Sequence, residues 1–258
     1  MSSYDFKSEA EVKEYLKNLH IEYNFGCYSQ KKPEVCHLLG DYMEAVKTDF
    51  KKAGILYQST CDDYKYGKSC TKYGNYLTLG RGCEKDQKKG YEYFRKACDL
   101  NDETGCYNGG TSAVTGQEIG ETDKTKQIEG GLNMLKKSCY EKNFEKSCFF
   151  LSGIYFSGIE GIAEKNIVEA YKLSLKCCEV GNPYACANVS LMHARGEGVQ
   201  KNSDLADVFK RRAEELMKQL QGKQPELKFQ QVSLIAIHEH LTDLHTSSPT
   251  HQHVIVTF

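Results

Sequence analysis

Twelve cysteines are the residues in this 258-residue chain best equipped for chemistry. A thiolate can ligate a metal, attack a disulfide or close one. Spacing decides between these. Cys27 and Cys36, Cys61 and Cys70, and Cys139 and Cys148 each enclose eight residues, while Cys98 and Cys106, and Cys178 and Cys186, enclose seven. Structural zinc uses pairs about two to four residues apart, and this chain has none. The spacing therefore points to five disulfides. Cys83 and Cys177 fall outside the pairs and are expected to be free thiols. Cys83 sits in the loop "GRGCEK" and is expected to be exposed. Cys177 adjoins Cys178 and could exchange with the bridge from Cys178 to Cys186. Two spare thiols is the preferred reading, because no cation cluster flanks either one to lower its pKa.

Such pairs need elements that bring them together. The second cysteines stand at 36, 70, 106, 148 and 186, in steps of 34, 36, 42 and 38. A self-similar period of this size signals a helical solenoid. Four positions after each second cysteine stand Gly40, Gly74, Gly110, Ser152 and Ser190, small residues that let a partner helix come close. Ten positions on, Gly80, Gly116, Gly158 and Gly196 read as left-handed stops of the first helix. Polar loops follow, then a second helix. In "KKGYEYFRKAC" the stripe is Tyr91, Phe94 and Ala97; in "NIVEAYKLSLKCC" it is Val168, Tyr171 and Leu175. Ser203 or Asp204 is expected to cap the last helix. In the first repeat almost no loop separates the helices, and Pro33 suits the first turn of its leading helix.

The expected fold is all-α, a helical-repeat solenoid of five disulfide-stapled helix pairs. An N-terminal cap helix occupies 1–32. Repeats follow at about 33–66, 67–103, 104–144, 145–182 and 183–222. A divergent tail, 223–258, is expected to lack fixed structure. Each first cysteine ends the second helix of one repeat and each second cysteine starts the first helix of the next. Cysteines flanking such a turn can reach the ~4.4–6.8 Å Cα separation of a disulfide.

Bulk properties exclude several classes. The net charge of −1 gives no sign of a nucleic-acid or membrane-surface partner. No stretch has the length and apolarity of a membrane span. The N-terminus lacks the basic and apolar regions of an export signal, and its acidic residues argue against a transit peptide. Twelve cysteines without a signal leave the compartment open on these grounds.

The stretches "YGNYLTLGRGCEKDQKKGYEYFRKACDL" and "LSGIYFSGIEGIAEKNIVEAYKLSLKCCEVG" resemble the Sel-one-like repeat, a relative of the tetratricopeptide repeat. Five cysteine-stapled copies, a short leading helix and the ending "QGKQPELKFQ" resemble more specifically the family of cytochrome c oxidase assembly factor seven. The resemblance covers residues 1 to about 230. It implies a right-handed solenoid with a concave protein-binding surface, residence in the mitochondrial intermembrane space, and monomeric action. Thiol oxidation there would trap paired cysteines without a presequence. It further implies protein partners in assembly of respiratory complex IV, with complex I as a second client. Haem binding and disulfide reduction on copper-delivery proteins are alternatives attached to the family. A bacterial cysteine-rich branch carries a β-lactamase-like label, for which no residues here speak.

Haem transfers poorly. Where related chains carry histidines, this one has Tyr107 and Val114, and the repeat body holds only His20, His37 and His193. A packing role is expected for those three; haem ligands are not assignable. No catalytic, cofactor-binding or metal-ligating residue is assigned. The loop "GRGCEKDQKKG" follows a helix rather than a strand, so it fails as a phosphate loop. The tail holds His238, His240, His245, His251 and His253. A transition-metal site is the sharper reading of that cluster, and an appended segment the preferred one. The function expected is that of a non-enzymatic assembly factor.

Overall fold

A computed structural model describes residues 8–222. They fall into two compact units, one ending at Tyr93 and the other beginning at Phe94. Among the described residues there are eleven α-helices and one isolated β-bridge.

In the first unit, α1 (Glu9–Asn24) runs into a π-helical turn, Phe25–Ser29, that carries Cys27. Helices α2 (Pro33–Ala45), α3 (Phe50–Tyr64) and α4 (Gly67–Leu79) follow, and α5 (Gln87–Asp99) spans the boundary. In the second unit come α6 (Glu103–Val114), α7 (Lys124–Lys136), a π turn Lys137–Glu141 with Cys139, and α8 (Glu145–Ser157). Helices α9 (Ile167–Glu179), α10 (Pro183–Arg195) and α11 (Ser203–Gly222) complete it. Pro33 and Pro183 occupy first turns, where the missing N–H costs nothing.

The second helix of every pair starts at an Asp or Asn. Asp49, Asp86, Asp123, Asn166 and Asn202 each accept a hydrogen bond from a backbone N–H in the first turn of α3, α5, α7, α9 and α11. Each such cap contributes about 0.5–2 kcal/mol. Asn202, not Ser203 or Asp204, caps α11. The reason is that the loop before it closes one residue earlier, with Asn202 N–H donating to the His193 carbonyl.

The glycine expectations hold with one variation. Gly80 and Gly196 are left-handed caps of α4 and α10. Gly158 keeps a positive φ of 74° but has ψ of 171°, so the chain leaves α8 extended. Small residues four positions after the second cysteine do sit at close approaches. A Cβ on Gly110 would lie 2.9 Å from the Gly131 carbonyl oxygen, so α6 and α7 meet backbone to backbone. A Cβ on Gly40 would lie 2.5 Å from the Tyr57 ring.

One stripe is corrected. Val168 is exposed, while Ala170, Leu173, Ser174 and Cys177 are buried. Tyr171 and Leu175 of the expected stripe do pack against the core, half-buried beside those residues. On α5 the buried residues are Tyr93, Phe94 and Ala97, with Tyr91 only half buried.

Candidate functional site

The turns between helix pairs bring the cysteines together. In each, a residue with positive φ follows the first cysteine: Lys31, Lys65 and Asn143 at four positions, Asn101 and Gly181 at three. That residue reverses the chain as a helix C-terminal cap does. Two of the longer turns absorb their extra residue as a π turn around Cys27 and Cys139.

The second cysteines lie deeper in their helices than expected. Cys36, Cys70, Cys106, Cys148 and Cys186 do not start α2, α4, α6, α8 and α10; those helices start three residues earlier, at Pro33, Gly67, Glu103, Glu145 and Pro183. The reason is the hydrogen-bond ladder. Cys36 N–H donates to the Lys32 carbonyl at 3.0 Å, Cys70 N–H to Tyr66 at 3.2 Å and Cys106 N–H to Asp102 at 3.1 Å. Each of these is an i to i−4 helical bond reaching back to the cap residue, so the cysteine closes the first helical turn. One turn inside the helix, its side chain faces the preceding helix rather than the loop.

There the five pairs stand at disulfide distance. Cα separations are 4.5 Å for Cys27 with Cys36, 4.8 Å for Cys61 with Cys70 and 4.4 Å for Cys98 with Cys106. They are 4.7 Å for Cys139 with Cys148 and 4.6 Å for Cys178 with Cys186. All ten residues are buried.

The remaining two thiols are not placed for exchange chemistry. Cys177 is 1% exposed and donates to the Glu145 carbonyl at 3.6 Å. Burial and the Glu145 charge push its pKa up to about 12. Nucleophilicity needs the thiolate, which burial disfavours here. Cys83 is half-buried rather than exposed, and burial raises its pKa, with Lys89 opposing.

The histidines are packed. His37 is 5% exposed; its Nδ1 is 2.9 Å from Ser69 Oγ and its Nε2 3.6 Å from Asp41. His193 stacks on Phe209 and meets the Tyr171 hydroxyl at 3.1 Å. His20 stacks on Tyr42 at 4.9 Å, with its pKa lowered first by burial and then by Lys47 and Lys52. Nε2 of His20 and Nδ1 of His193 are buried without a hydrogen-bond partner. No group of three or more His, Cys, Asp or Glu that could hold a metal occurs among the described residues. His238, His240, His245, His251 and His253, with the tail at 223–258, lie outside the described residues.

A cluster that sequence reasoning missed lies between α2, α3 and α4. Tyr57, fully buried, donates toward Asp41 at 2.6 Å and lies 3.0 Å from Glu44. Lys72 sits 3.3 Å from Asp41 and 3.1 Å from Glu44, and Arg81 holds the other Glu44 oxygen at 2.9 Å while lying 4.9 Å above the Phe50 ring. Two carboxylates face two cations, so the cluster is charge-balanced. Burial and both carboxylates push the Tyr57 phenol well above its ordinary range. A signal was present: Asp41 and Glu44 fall on the packing face of α2, beside Gly40.

The Sel1 repeat pattern matches residues 33–63, 67–102, 145–182 and 183–206. The cytochrome c oxidase assembly factor 7 homolog of Drosophila melanogaster is 42% identical over 264 residues, covering 89% of this chain and 97% of the relative. The chain belongs to the cytochrome c oxidase assembly factor 7 family of Sel1-repeat proteins. Its human relative, cytochrome c oxidase assembly factor 7, is 35% identical over 228 residues, covering 86% and 96%. The crystal structure of a Sel1 repeat protein from Oxalobacter formigenes superposes with a TM-score of 0.63 at 20% identity, over 91% of this chain and 98% of that one. The fold is thus a Sel1-type helical-repeat solenoid. Helices α6 and α7 fall between the matched segments, yet they form the same kind of pair, joined at Gly110 and Gly131. No helix among the described residues is long and apolar enough to cross a membrane.

Proposed function

We propose that this member of the family is a non-enzymatic assembly factor for cytochrome c oxidase, acting as a monomeric, disulfide-stapled scaffold that docks protein partners. The observation that carries the reading is near full-length similarity to relatives that bear that function in their names. Five buried cysteine pairs at disulfide distance fit a scaffold held in an oxidising compartment, and the mitochondrial intermembrane space is the compartment proposed. Buried Cys177 with its raised pKa supports scaffold over oxidoreductase.

Depletion of the protein should lower assembled cytochrome c oxidase on a native gel, and re-expression of a Cys177→Ser variant should restore it. Failure of that variant to restore assembly while folding normally would favour thiol exchange instead. Alkylation of the native protein without reductant should leave ten cysteines blocked and two reactive after denaturation. Twelve reactive thiols would overturn the stapled scaffold.

A further inference from the structure

Helix α1 is lightly attached to the rest of the first unit. Val12 is its one buried residue, and Glu9, Lys13, Glu14, Lys17, Ile21 and Glu22 are exposed. At its C-terminal end the chain is fixed, because the π turn Phe25–Ser29 carries Cys27 to its pairing with Cys36. Along the helix, the point of attachment is Tyr42 of α2. Tyr42 is buried and donates its hydroxyl proton to the Leu16 carbonyl at 3.0 Å. The Tyr23 ring meets it edge-on at 6.4 Å. The His20 ring stacks on it, 4.9 Å away and 6° from parallel.

That stack suits an uncharged histidine. Nε2 of His20 is buried without a hydrogen-bond partner. An unpaired nitrogen costs little on a neutral ring and much more on a cation. The surrounding charges act in the same direction. Lys47 lies 5.9 Å over the Tyr42 ring, and Lys47 and Lys52 both oppose a positive His20. Carboxylates that could offset them are engaged elsewhere. Asp49 lies 3.3 Å from Lys52 and caps α3. Asp41 and Glu44 belong to the buried cluster with Tyr57, Lys72 and Arg81. On α1 itself, Glu22 stands two positions on and so on another side of the helix, while Lys17, three positions back, adds a further cation on the same side. Tyr23 and Tyr42 are neutral phenols whose pKa values burial raises.

We infer that α1 is an acid-releasable cap: protonation of His20 breaks its stack on Tyr42 and frees the helix to swing about the turn that Cys27 and Cys36 hold. Release bares Tyr42 and withdraws Tyr23 from the core of Cys27, Cys36, Leu39 and Leu56. The sign follows from the surroundings. Burial, then Lys47 and Lys52, lower the His20 pKa. A base whose pKa falls on folding contributes stability that is complete above its unfolded value, here 6.5, and is lost as pH falls from there through the folded value. The device is separate from the disulfide chemistry and stands whether or not the assembly role does.

Hydrogen exchange of the full chain, read by mass spectrometry as protection corrected for the intrinsic rate at each pH, tests it. From about pH 7.5 to about pH 5, peptides from 9–24 should lose protection severalfold, while those from α3 and α8 keep theirs. His20→Phe keeps an aromatic ring against Tyr42 but takes no proton, and should hold α1 protected across that range. Lys47→Gln should move the loss to lower pH. Flat protection of 9–24 in the wild type, the same acid loss in His20→Phe, or a loss spread evenly over the first unit would overturn the inference. If His20→Phe packs poorly and leaves α1 unprotected at every pH, an NMR titration of wild-type His20 decides. A midpoint at or above 6.5 overturns the inference, and a lower one tracked by the α1 amide shifts supports it.

Discussion

The same slot is filled differently in the two units. Four residues before the first cysteine of a pair, Tyr57 in the N-terminal unit and Leu135 in the C-terminal unit are both fully buried. Each lies under the glycine four residues after a second cysteine: Gly40, which follows Cys36, and Gly110, which follows Cys106. The leucine asks nothing more of its surroundings. It joins an apolar core with Leu132, Leu151, Leu173 and Val189, threaded by Cys139, Cys148, Cys178 and Cys186. The tyrosine brings a hydroxyl, and a buried hydroxyl needs a partner. Asp41 and Glu44 supply it, and as buried carboxylates they require Lys72 and Arg81. In the α6–α7 pair the positions of Asp41 and Glu44 hold Thr111 and Val114, which fit a leucine. One polar atom in a repeat slot thus recruits four charges, and the repeat tolerates either solution.

Breaking the ionic solution should have the largest effect. Lys72→Ala leaves two buried carboxylates facing one cation and is expected to cost about 3–5 kcal/mol. Hydrogen-exchange mass spectrometry should show the loss of protection in peptides from α2, α3 and α4. A uniform loss over both units would contradict the local role given to the cluster. Removing only the hydroxyl is milder. Tyr57→Phe takes a donor from Asp41 and Glu44 and should cost about 1–3 kcal/mol, whereas Leu135→Met in the equivalent apolar slot should cost under about 1.5 kcal/mol. Urea midpoints for the two variants make that contrast directly.

Alkali should sharpen the difference again. Tyr57 and Cys177 both have pKa values raised by folding, so each contributes stability that is complete below its unfolded pKa and is lost as pH rises through the folded one. For Cys177 that window runs from near 9 to about 12. For Tyr57 it opens only above 10. Exchange protection in α9 should therefore begin to fall at lower pH than protection in α3, and Cys177→Ala should remove the early step. The smallest effect runs the other way. Gly153, inside α8, has no atom within 4 Å of a Cβ position. Gly153→Ala should stabilise the second unit by about 0.5–1 kcal/mol, while the same change at Gly40, against the Tyr57 ring, should destabilise the first. A thermal melt of each reads the sign.

Much of the architecture was legible because it repeats. The cysteine steps, the small residue four positions on and the glycine after ten recur together, and only helices of fixed length can satisfy all three. Helix starts fall within one residue of the expected repeat starts, at Pro33, Gly67, Glu103, Glu145 and Pro183, and not at the second cysteines themselves. Cys36, Cys70 and Cys106 mark a helix's first closed turn rather than its first residue, because the three residues before them lack an intrahelical N–H partner and carry no periodic signal. The caps were legible in type but not in place: any of Asn202, Ser203 and Asp204 is a good cap, and the closing hydrogen bond to His193 chooses among them. The α9 stripe was misread at one residue. Tyr171 and Leu175 pack against the core as expected, while Val168 in the first turn is exposed. Family membership supplied the functional reading, which no spacing could.

By itself, the sequence determined the repeat, the pairing of ten cysteines and the two left over, because these depend on local spacing along the chain. Tertiary structure decided what those features do. It buried Cys177 beside Glu145 and raised its pKa, gathered Asp41, Glu44, Lys72 and Arg81 from separate helices, and stacked His20 of α1 on Tyr42. Burial, pKa and ring stacking depend on residues far apart in the chain, and only packing sets their distances.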